Sequence, residues 1–165
     1  MMMMRNILLL LPFVLLCMAA VFKEIKGNPT YDDFKKKHII GNNDLPGNTY
    51  NKKCTDEIKK REIFINRNNQ QECKPINTFI YGDEQSIKDI CKSKYNYTVN
   101  KNNQMKTFTC SSEKFDIILC KTQDIGKLFK NGCNYEGTFH EKMHVAVACE
   151  NGLPVHYEIQ IDECD

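Results

Sequence analysis

The number of cysteines is the feature that most constrains what this 165-residue chain can fold into. Nine cysteines are present, and Cys17 lies within an apolar N-terminal run. The others form an even set, which in a small exported domain indicates a disulfide framework. Eight cysteines can pair in roughly 105 ways, so counting alone selects no pairing. None of them forms a C-x-x-C pair, and the sequence therefore predicts no metal site of the zinc type. The eight are Cys54, Cys73, Cys91, Cys110, Cys120, Cys133, Cys149 and Cys164.

The N-terminus has the pattern of a secretory signal peptide. Arg5 precedes an apolar run from Ile7 to Phe22 that ends among small residues. This run is short for a membrane span, which needs about 20 apolar residues. We predict a signal peptide over 1–27, cleaved somewhere in 19–27, with an uncleaved signal anchor as the alternative. No later segment is apolar enough to cross a bilayer, and 28–165 is expected to form one domain.

Residue patterns place helices before strands. Thr30 is a good N-cap for a helix that we expect to end at Gly41, and "CTDEIKKRE" and "GDEQSIKDIC" indicate two more helices. The segments "MKTFTC", "KFDIILC", "HVAVACE" and "VHYEIQI" are rich in β-branched and aromatic residues, as strands are. We therefore predict an α+β domain in which about three helices pack on a curved antiparallel β-sheet. Disulfides are expected to stabilise it, because its apolar content is too low for a large core.

Charge gives a weaker indication. The formal net charge is only +2, so the overall charge does not argue for nucleic-acid binding. Lysines and arginine are locally clustered at 35–37, 52–53 and 59–61. Each run taken alone is typical of a solvated helix face.

Two histidines and a lysine have the surroundings of catalytic groups. His38 shares a helical face with Phe34 and is expected to point into the domain. In a regular strand His156, Glu158 and Gln160 would share one face and Tyr157 would lie on the other. A nearby carboxylate can orient an imidazole. Together with Lys74, such histidines suit phosphodiester cleavage. One imidazole would accept a proton, the other would donate one, and the ammonium would stabilise the charge on phosphate.

Three segments, "FKKKH", "CKPINTF" and "LPVHY", carry a resemblance to a known family. In this order they resemble the catalytic segments of the pancreatic ribonuclease (ribonuclease A) superfamily. The likeness runs from about Tyr31 to Ile161. The stretches "CKPINTFIYGDEQSIKDIC" and "VAVACENGLPVH" are more similar still to the angiogenin-like members.

The resemblance implies a role for each matching residue. His38 would be the general base, His156 the general acid and Lys74 the stabiliser of the transition state. Substrate-binding roles would fall to the remaining matches. Thr78 would recognise a pyrimidine base. Asn77 would help to shape the phosphate site, which Lys37 and the backbone amide of Tyr157 would contact. Glu158 would orient the acid histidine, and Glu150 would lie near the next base. Ile159 stands where angiogenin has a glutamine that obstructs the pyrimidine pocket, so that obstruction is expected to be absent.

The family framework also implies disulfide pairings. Three bridges would be Cys54–Cys120, Cys73–Cys133 and Cys91–Cys149. The fourth bridge of mammalian pancreatic members has no counterpart here. The two remaining cysteines leave Cys110–Cys164 as the expected fourth pair.

Other residues are secondary candidates. By resemblance to angiogenin, Lys59, Lys60 and Arg61 would form a nuclear-targeting triplet, and a solvated helix face is the alternative. Asn96 begins the sequon Asn-Tyr-Thr and is a candidate for glycosylation in a polar loop. We expect His140 and His144 to be surface or structural residues.

The resemblance implies a secreted, monomeric endoribonuclease that needs no cofactor or metal and cleaves single-stranded RNA 3′ of pyrimidines through a 2′,3′-cyclic phosphate. One alternative is an angiogenin-like signalling protein of weak ribonuclease activity that binds a receptor and enters the nucleus or nucleolus. Another is a cationic host-defence protein, against which the small net charge counts. Ribonuclease inhibitor or a cell-surface receptor would be the protein partner, and the mature chain is not expected to insert into membranes.

Overall fold

The computed structural model describes residues 29–41 and 50–165, so the signal peptide expected over 1–27 lies outside the described residues. The helices of the described part are α1 Tyr31–His38, α2 Tyr50–Lys60 and α3 Glu84–Asp89, with 3-10 turns at Ile90–Lys92 and Phe129–Asn131. The strands are β1 Ile39–Ile40, β2 Phe64–Arg67, β3 Gln70–Cys73, β4 Ile76–Tyr81, β5 Tyr95–Lys101, β6 Gln104–Cys110, β7 Phe115–Lys121, β8 Glu136–Glu150 and β9 Leu153–Ile161. None of the described helices is long and apolar enough to span a membrane. The α+β prediction is confirmed.

Helix α1 begins where its cap was predicted and ends earlier than expected. The Thr30 hydroxyl accepts a hydrogen bond from the backbone N–H of Asp33 at 3.2 Å. The helix ends at His38, and the expected extension to Gly41 was wrong because β1 follows at once and pairs in parallel with β4. Two consecutive isoleucines favour a strand, since their β-branched side chains pack well on a sheet and are restricted in a helix. His38 consequently occupies the junction between helix and sheet.

One mixed sheet carries most of the domain. Its order is β1-β4-β7-β8-β6-β5, with β9 added to β8, and β2 and β3 form a separate hairpin. The β1–β4 pair is parallel and the other pairs are antiparallel, so the sheet is antiparallel apart from the short strand β1. The 15-residue β8 joins the two halves, because its first part pairs with β7 and its second with β9.

Two apolar clusters lie against this sheet. One includes Ile58 of α2 with Phe79 and Ile118 of β4 and β7. The other lies beneath α1 and α3 and includes Phe34 and Val145. Burial of side chains of this size stabilises the fold by about 1.5–3 kcal/mol each.

Four disulfides join the pairs expected from the sequence. They are Cys54–Cys120, Cys73–Cys133, Cys91–Cys149 and Cys110–Cys164. The last one ties the C-terminal tail to β6. The tail also pairs with β5, because the backbones of Asn96 and Asp165 exchange hydrogen bonds of 3.1 and 3.3 Å.

The pairing of β8 with β9 is irregular in two places. Adjacent residues Ala146 and Val147 pair with Ile159 and Tyr157, so Glu158 is an extra residue on β9. A second register shift lies between Ala148 and Cys149. Such bulges interrupt the alternation of side chains. The prediction that Tyr157 and Gln160 face opposite sides was therefore wrong, since their side chains are in contact.

Candidate active site

A groove of about 540 Å³ runs between α1, β4 and β9. It brings together eight of the residues singled out in the sequence: Lys37, His38, Lys74, Asn77, Thr78, His156, Tyr157 and Glu158. Glu150 is not among the lining residues and lies exposed at the end of β8. The groove thus unites side chains from three segments that are remote in sequence.

The His38 ring is buried and held in one tautomer. Its Nδ1–H donates to the backbone carbonyl of Thr78 at 2.8 Å, because a carbonyl oxygen can only accept. In the neutral ring Nε2 is then the acceptor. The ring also packs between Phe34 and Tyr157, with centroid distances of 5.1 and 5.2 Å. This arrangement fixes the ring and leaves its lone pair on Nε2.

Burial and nearby cations keep His38 neutral. Burial, followed by the positive charge of Lys74, lowers the pKa of His38 from 6.5 to about 3. The hydrogen bond to Thr78 opposes this shift, and the charges of His156 and Lys37 add to it. A neutral imidazole in this environment can accept a proton from a substrate.

Asn77 connects the lysine of the groove to helix α1. Its side-chain oxygen accepts from Lys74 Nζ at 2.7 Å, and its amide Nδ2 donates to the carbonyl of Lys37 at 2.8 Å. Asn77 is 2% exposed, so these two hydrogen bonds are largely shielded from water. The backbone of Lys74 is held from the other side, where the Tyr135 hydroxyl donates to its carbonyl at 2.8 Å. Lys74 is therefore fixed at both its backbone and its ammonium group.

The ammonium of Lys74 lies in a cationic and partly desolvated place. Burial, and then the charge of Lys37, lowers the pKa of Lys74 from 10.5 to about 8. An anionic ligand would relieve the repulsion between these two cations. The two neighbouring cations therefore give this part of the groove a positive charge, which attracts anions.

His156 is the exposed member of the trio. Its side chain is 58% exposed, and its Nε2 lies 3.5 Å from Glu158 Oε2. Glu158 is only 8% exposed and also forms an ion pair with Lys101. The carboxylate thus connects the histidine to the β5–β6 hairpin. Lys101 itself lines the groove, and sequence reasoning missed it because nothing local in "YTVNKNNQ" indicates contact with β9.

Arg61 also has a role that its sequence pattern did not indicate. Its guanidinium donates to Glu57 Oε2 and to the carbonyl of Ile39, both at 2.7 Å, and lies 5.6 Å from the centre of the Phe79 ring. It thereby connects α2 to the end of α1. Lys59 and Lys60 are exposed, so the basic triplet divides into two solvated lysines and one arginine bound within the fold.

The remaining candidates lie apart from the groove. Asn96 is exposed and belongs to β5, so its expected location in a loop was wrong. His144 Nδ1 lies 2.8 Å from the carbonyl of Ser111, while His140 Nε2 is buried without a hydrogen-bond partner among the described residues. The described residues also contain no cluster of three or more metal-binding side chains of His, Cys, Asp or Glu.

Comparisons with known proteins agree with this geometry. Residues 29–158 match the family model described as pancreatic ribonuclease. The chain is 31% identical to angiogenin of Oryctolagus cuniculus over 129 residues, which cover 77% of each protein. It is 32% identical to angiogenin of Sus scrofa over 150 residues, which cover 91% of this chain and 90% of that protein.

A solved structure agrees as well. The green turtle egg white ribonuclease superposes with a TM-score of 0.60 at 25% identity. The match covers 79% of this chain and 98% of the turtle protein. With its angiogenin-like sequence, four disulfides and α+β sheet, the chain belongs to the pancreatic ribonuclease family.

Proposed function

We propose that the protein is a secreted endoribonuclease that cleaves single-stranded RNA on the 3′ side of pyrimidines. One observation supports this proposal above all others. Two imidazoles and one ammonium line the same groove, and the buried imidazole is held neutral with Nε2 as its acceptor. Single strands suit such a groove, because the base must be accessible and the sugar free to rearrange.

The first step is a transphosphorylation. Nε2 of neutral His38 removes the proton of the 2′-hydroxyl while that oxygen attacks the adjacent phosphorus. The bond from phosphorus to the 5′ oxygen breaks, and protonated His156 gives its proton to that leaving oxygen. Lys74 stabilises the negative charge that builds on the phosphate. The products are a 2′,3′-cyclic phosphate and a free 5′-hydroxyl.

The second step hydrolyses the cyclic phosphate with the roles exchanged. His156, now neutral, removes a proton from water as the water oxygen attacks phosphorus. Protonated His38 returns its proton to the 2′ oxygen, and a 3′-phosphate leaves the groove. Each histidine gains a proton in one step and loses a proton in the other. Both histidines therefore end the cycle in their starting protonation states.

The surrounding residues take supporting roles in this proposal. Thr78 reads the base on the 5′ side of the cut bond, and Asn77 and Lys37 shape the phosphate site. Glu158 orients His156, and the backbone amide of Tyr157 contacts phosphate. Glu150 is proposed near the next base, although it does not line the groove of the free protein. Residues 1–27 would be removed on export, leaving the domain from residue 28.

A dinucleotide cleavage assay on refolded, oxidised protein tests the proposal. We expect His38→Ala and His156→Ala each to lower kcat/KM by about 10²–10⁴-fold. Lys74→Ala should cost about 10²–10³-fold. His144→Ala is a matched control, because this histidine lies on β8 and bonds Ser111 outside the groove. Wild-type protein without measurable cleavage, or full activity in either groove-histidine variant, would contradict the proposal.

A second candidate function is angiogenin-like signalling, with receptor binding and nuclear uptake in place of high turnover. The similarity to angiogenins and the exposure of Lys59 and Lys60 favour it. Nuclear uptake of labelled protein should then be lost in the double variant Lys59→Ala, Lys60→Ala and retained in Lys52→Ala, another exposed lysine of α2. Feeble dinucleotide cleavage together with this loss would favour signalling, and rapid cleavage with unchanged uptake would favour the enzyme. Arg61 is unsuitable for this test, since its loss would disturb the packing of α1.

A further inference from the structure

One carboxylate on the surface joins helix α1 to helix α3. Glu84 Oε1 accepts a hydrogen bond from the Tyr31 hydroxyl at 3.0 Å, and Glu84 Oε2 lies 2.5 Å from Lys35 Nζ. Lys88, one turn further along α3, lies 2.9 Å from the same carboxylate and 5.0 Å from the centre of the Tyr31 ring. Glu84 therefore contacts both turns of α1, although it lies 53 and 49 residues away from these partners in sequence.

The hydrogen bonds keep this carboxylate ionised. Those from Lys35, Lys88 and Tyr31, in that order, lower the pKa of Glu84 to about 2. Burial, and then the bond to Glu84, raises the pKa of Tyr31 above its ordinary value. At neutral pH the carboxylate is thus a charged acceptor, and the phenol keeps the proton that it donates.

Helix α1 forms one wall of the groove, so its placement matters for the site. Phe34, Lys37 and His38 all line the groove from this helix. The end of the helix is held by Asn77, whose amide donates to the carbonyl of Lys37. Its first turn is held by the contact with Glu84 on α3. Because a helix of eight residues is marginal by itself, its direction depends on such tertiary contacts.

Phe34 connects the first turn of α1 to the ring of His38. It is 1% exposed and belongs to the apolar cluster that includes Ile87 of α3, and Tyr31 packs against the same cluster. The rings of Phe34 and His38 are 5.1 Å apart. Tyr31, Phe34 and His38 follow one another at spacings of three and four, so they share one face of the helix. A displacement of the first turn would therefore change the packing around His38.

We propose that Glu84 is a positioning residue for the base, because its contacts with Tyr31 and Lys35 hold α1 so that His38 stays buried against β4 and β9. This inference rests on the proposed function, in which His38 is the general base. Without the Glu84 contact the first turn of α1 should move more freely, and water should reach the His38 ring. Hydration favours the charged form of an imidazole, so the pKa of His38 should rise.

The sign of this change separates positioning from a direct effect of charge. The groups that act on the His38 ring from the elements around it are Lys74, Thr78, His156 and Lys37. The three cations lower the pKa of His38, and the hydrogen bond to the Thr78 carbonyl raises it. Loss of the negative charge of Glu84 would by itself lower the pKa of a histidine, since an anion favours the cationic ring. A rise therefore reports a change in the burial of His38.

The pH profile of dinucleotide cleavage tests the inference with Glu84→Ala and a matched control, Asp89→Ala. Asp89 is another acid of α3, but its oxygen bonds Gln85 and Lys92 instead of α1. The Glu84 side chain is 37% exposed, so we expect a moderate effect. In Glu84→Ala the acid limb of kcat/KM should move up by about 0.5–1 pH unit, and kcat/KM at neutral pH should fall by about 2- to 10-fold. Asp89→Ala should change neither.

The α1 side of the contact gives a second test. The double variant Tyr31→Phe, Lys35→Met keeps Glu84 and removes both of its partners on α1. It should move the acid limb as Glu84→Ala does. Combining all three substitutions should add no further shift, because they remove the same contact. If Glu84→Ala does not fold, the double variant decides alone.

A titration of the His38 ring by NMR, with labelled histidine, gives a readout that needs no turnover. Its pKa should be higher in Glu84→Ala and in the double variant than in wild type, and unchanged in Asp89→Ala. An unchanged or lowered pKa of His38 in both groove-wall variants would overturn the inference, even if both unfold more easily. If wild-type protein cleaves no dinucleotide, the proposed function fails, and the titration still decides whether Glu84 positions His38.

Discussion

Acidification should destabilise this protein through one buried side chain, His38. Its pKa is about 3 in the folded protein, whereas an unfolded chain has the ordinary value of about 6.5. Well above pH 6.5 the imidazole is neutral in both states and contributes no pH dependence. Between the two pKa values only the unfolded state takes up the proton, so the free energy of unfolding falls as the pH falls.

The magnitude follows from the size of the shift. Each pH unit in this window is worth about 1.4 kcal/mol. At about pH 4.5, two units below the unfolded pKa, His38 should have removed about 2.7 kcal/mol from the free energy of unfolding. This is a large part of the total for a domain of this size, which is about 5–15 kcal/mol.

Equilibrium urea unfolding of the oxidised protein can isolate this contribution. The free energy of unfolding is measured at about pH 7 and about pH 4.5 for wild type and for His38→Gln, which cannot be protonated in this range. Hydrogen-bonded carboxylates with lowered pKa values, such as Asp83 and Asp124, also cost stability in acid, but equally in both proteins. The wild type should lose about 2.5 kcal/mol more than the variant between these two pH values, because a small part of the effect is already present at about pH 7. Equal losses, or a greater loss in the variant, would refute the reasoning.

Three further predictions concern activity and stability. The pH profile of kcat/KM should be bell-shaped, with an acid limb well below pH 6.5 because His38 stays neutral there, and dinucleotide cleavage across the pH range checks this. Arg61→Ala should lower the free energy of unfolding by about 2 kcal/mol and reduce cleavage, since the charge-assisted hydrogen bonds to Glu57 and to the carbonyls of Lys36 and Ile39 are lost. Exposed Lys60→Ala should change neither, and urea unfolding and dinucleotide cleavage measure both effects. Replacing both cysteines of the Cys110–Cys164 bridge by serine should lower the free energy of unfolding by about 4 kcal/mol, because the bridge joins residues with a sequence separation of 54. Urea unfolding measures this, and an unchanged midpoint would contradict it.

Much of the groove could be predicted because the relevant signals are local. The Thr30 cap indicated where α1 begins, and the four-residue spacing from Phe34 placed His38 on the buried face of the helix. Lys74 stands beside Cys73, whose bridge to Cys133 anchors the chain just before β4. Such features depend on a few neighbouring residues, and short-range rules describe them well.

The errors came from contacts between distant segments. Ile39 and Ile40 left the helix because β4 offers a parallel partner, which is invisible in "KKKHIIG". The bulge at Glu158 follows from the pairing of β9 with β8, and a strict two-residue alternation cannot represent it. The contact of Lys101 with Glu158 depends on where the β5–β6 hairpin lies in the finished sheet. In each case tertiary pairing overrode a local pattern.

The coupling of α1 to β4 explains how a small domain can hold a buried neutral base beside a cation. Thr78 fixes the tautomer of His38 through its carbonyl, and Asn77 binds both the end of α1 and the ammonium of Lys74. In the proposed mechanism, adjacent residues of one strand therefore set the protonation of the base and the position of the charge that acts on the same phosphate. A change at Asn77 should accordingly disturb the end of α1 and the ammonium of Lys74 together.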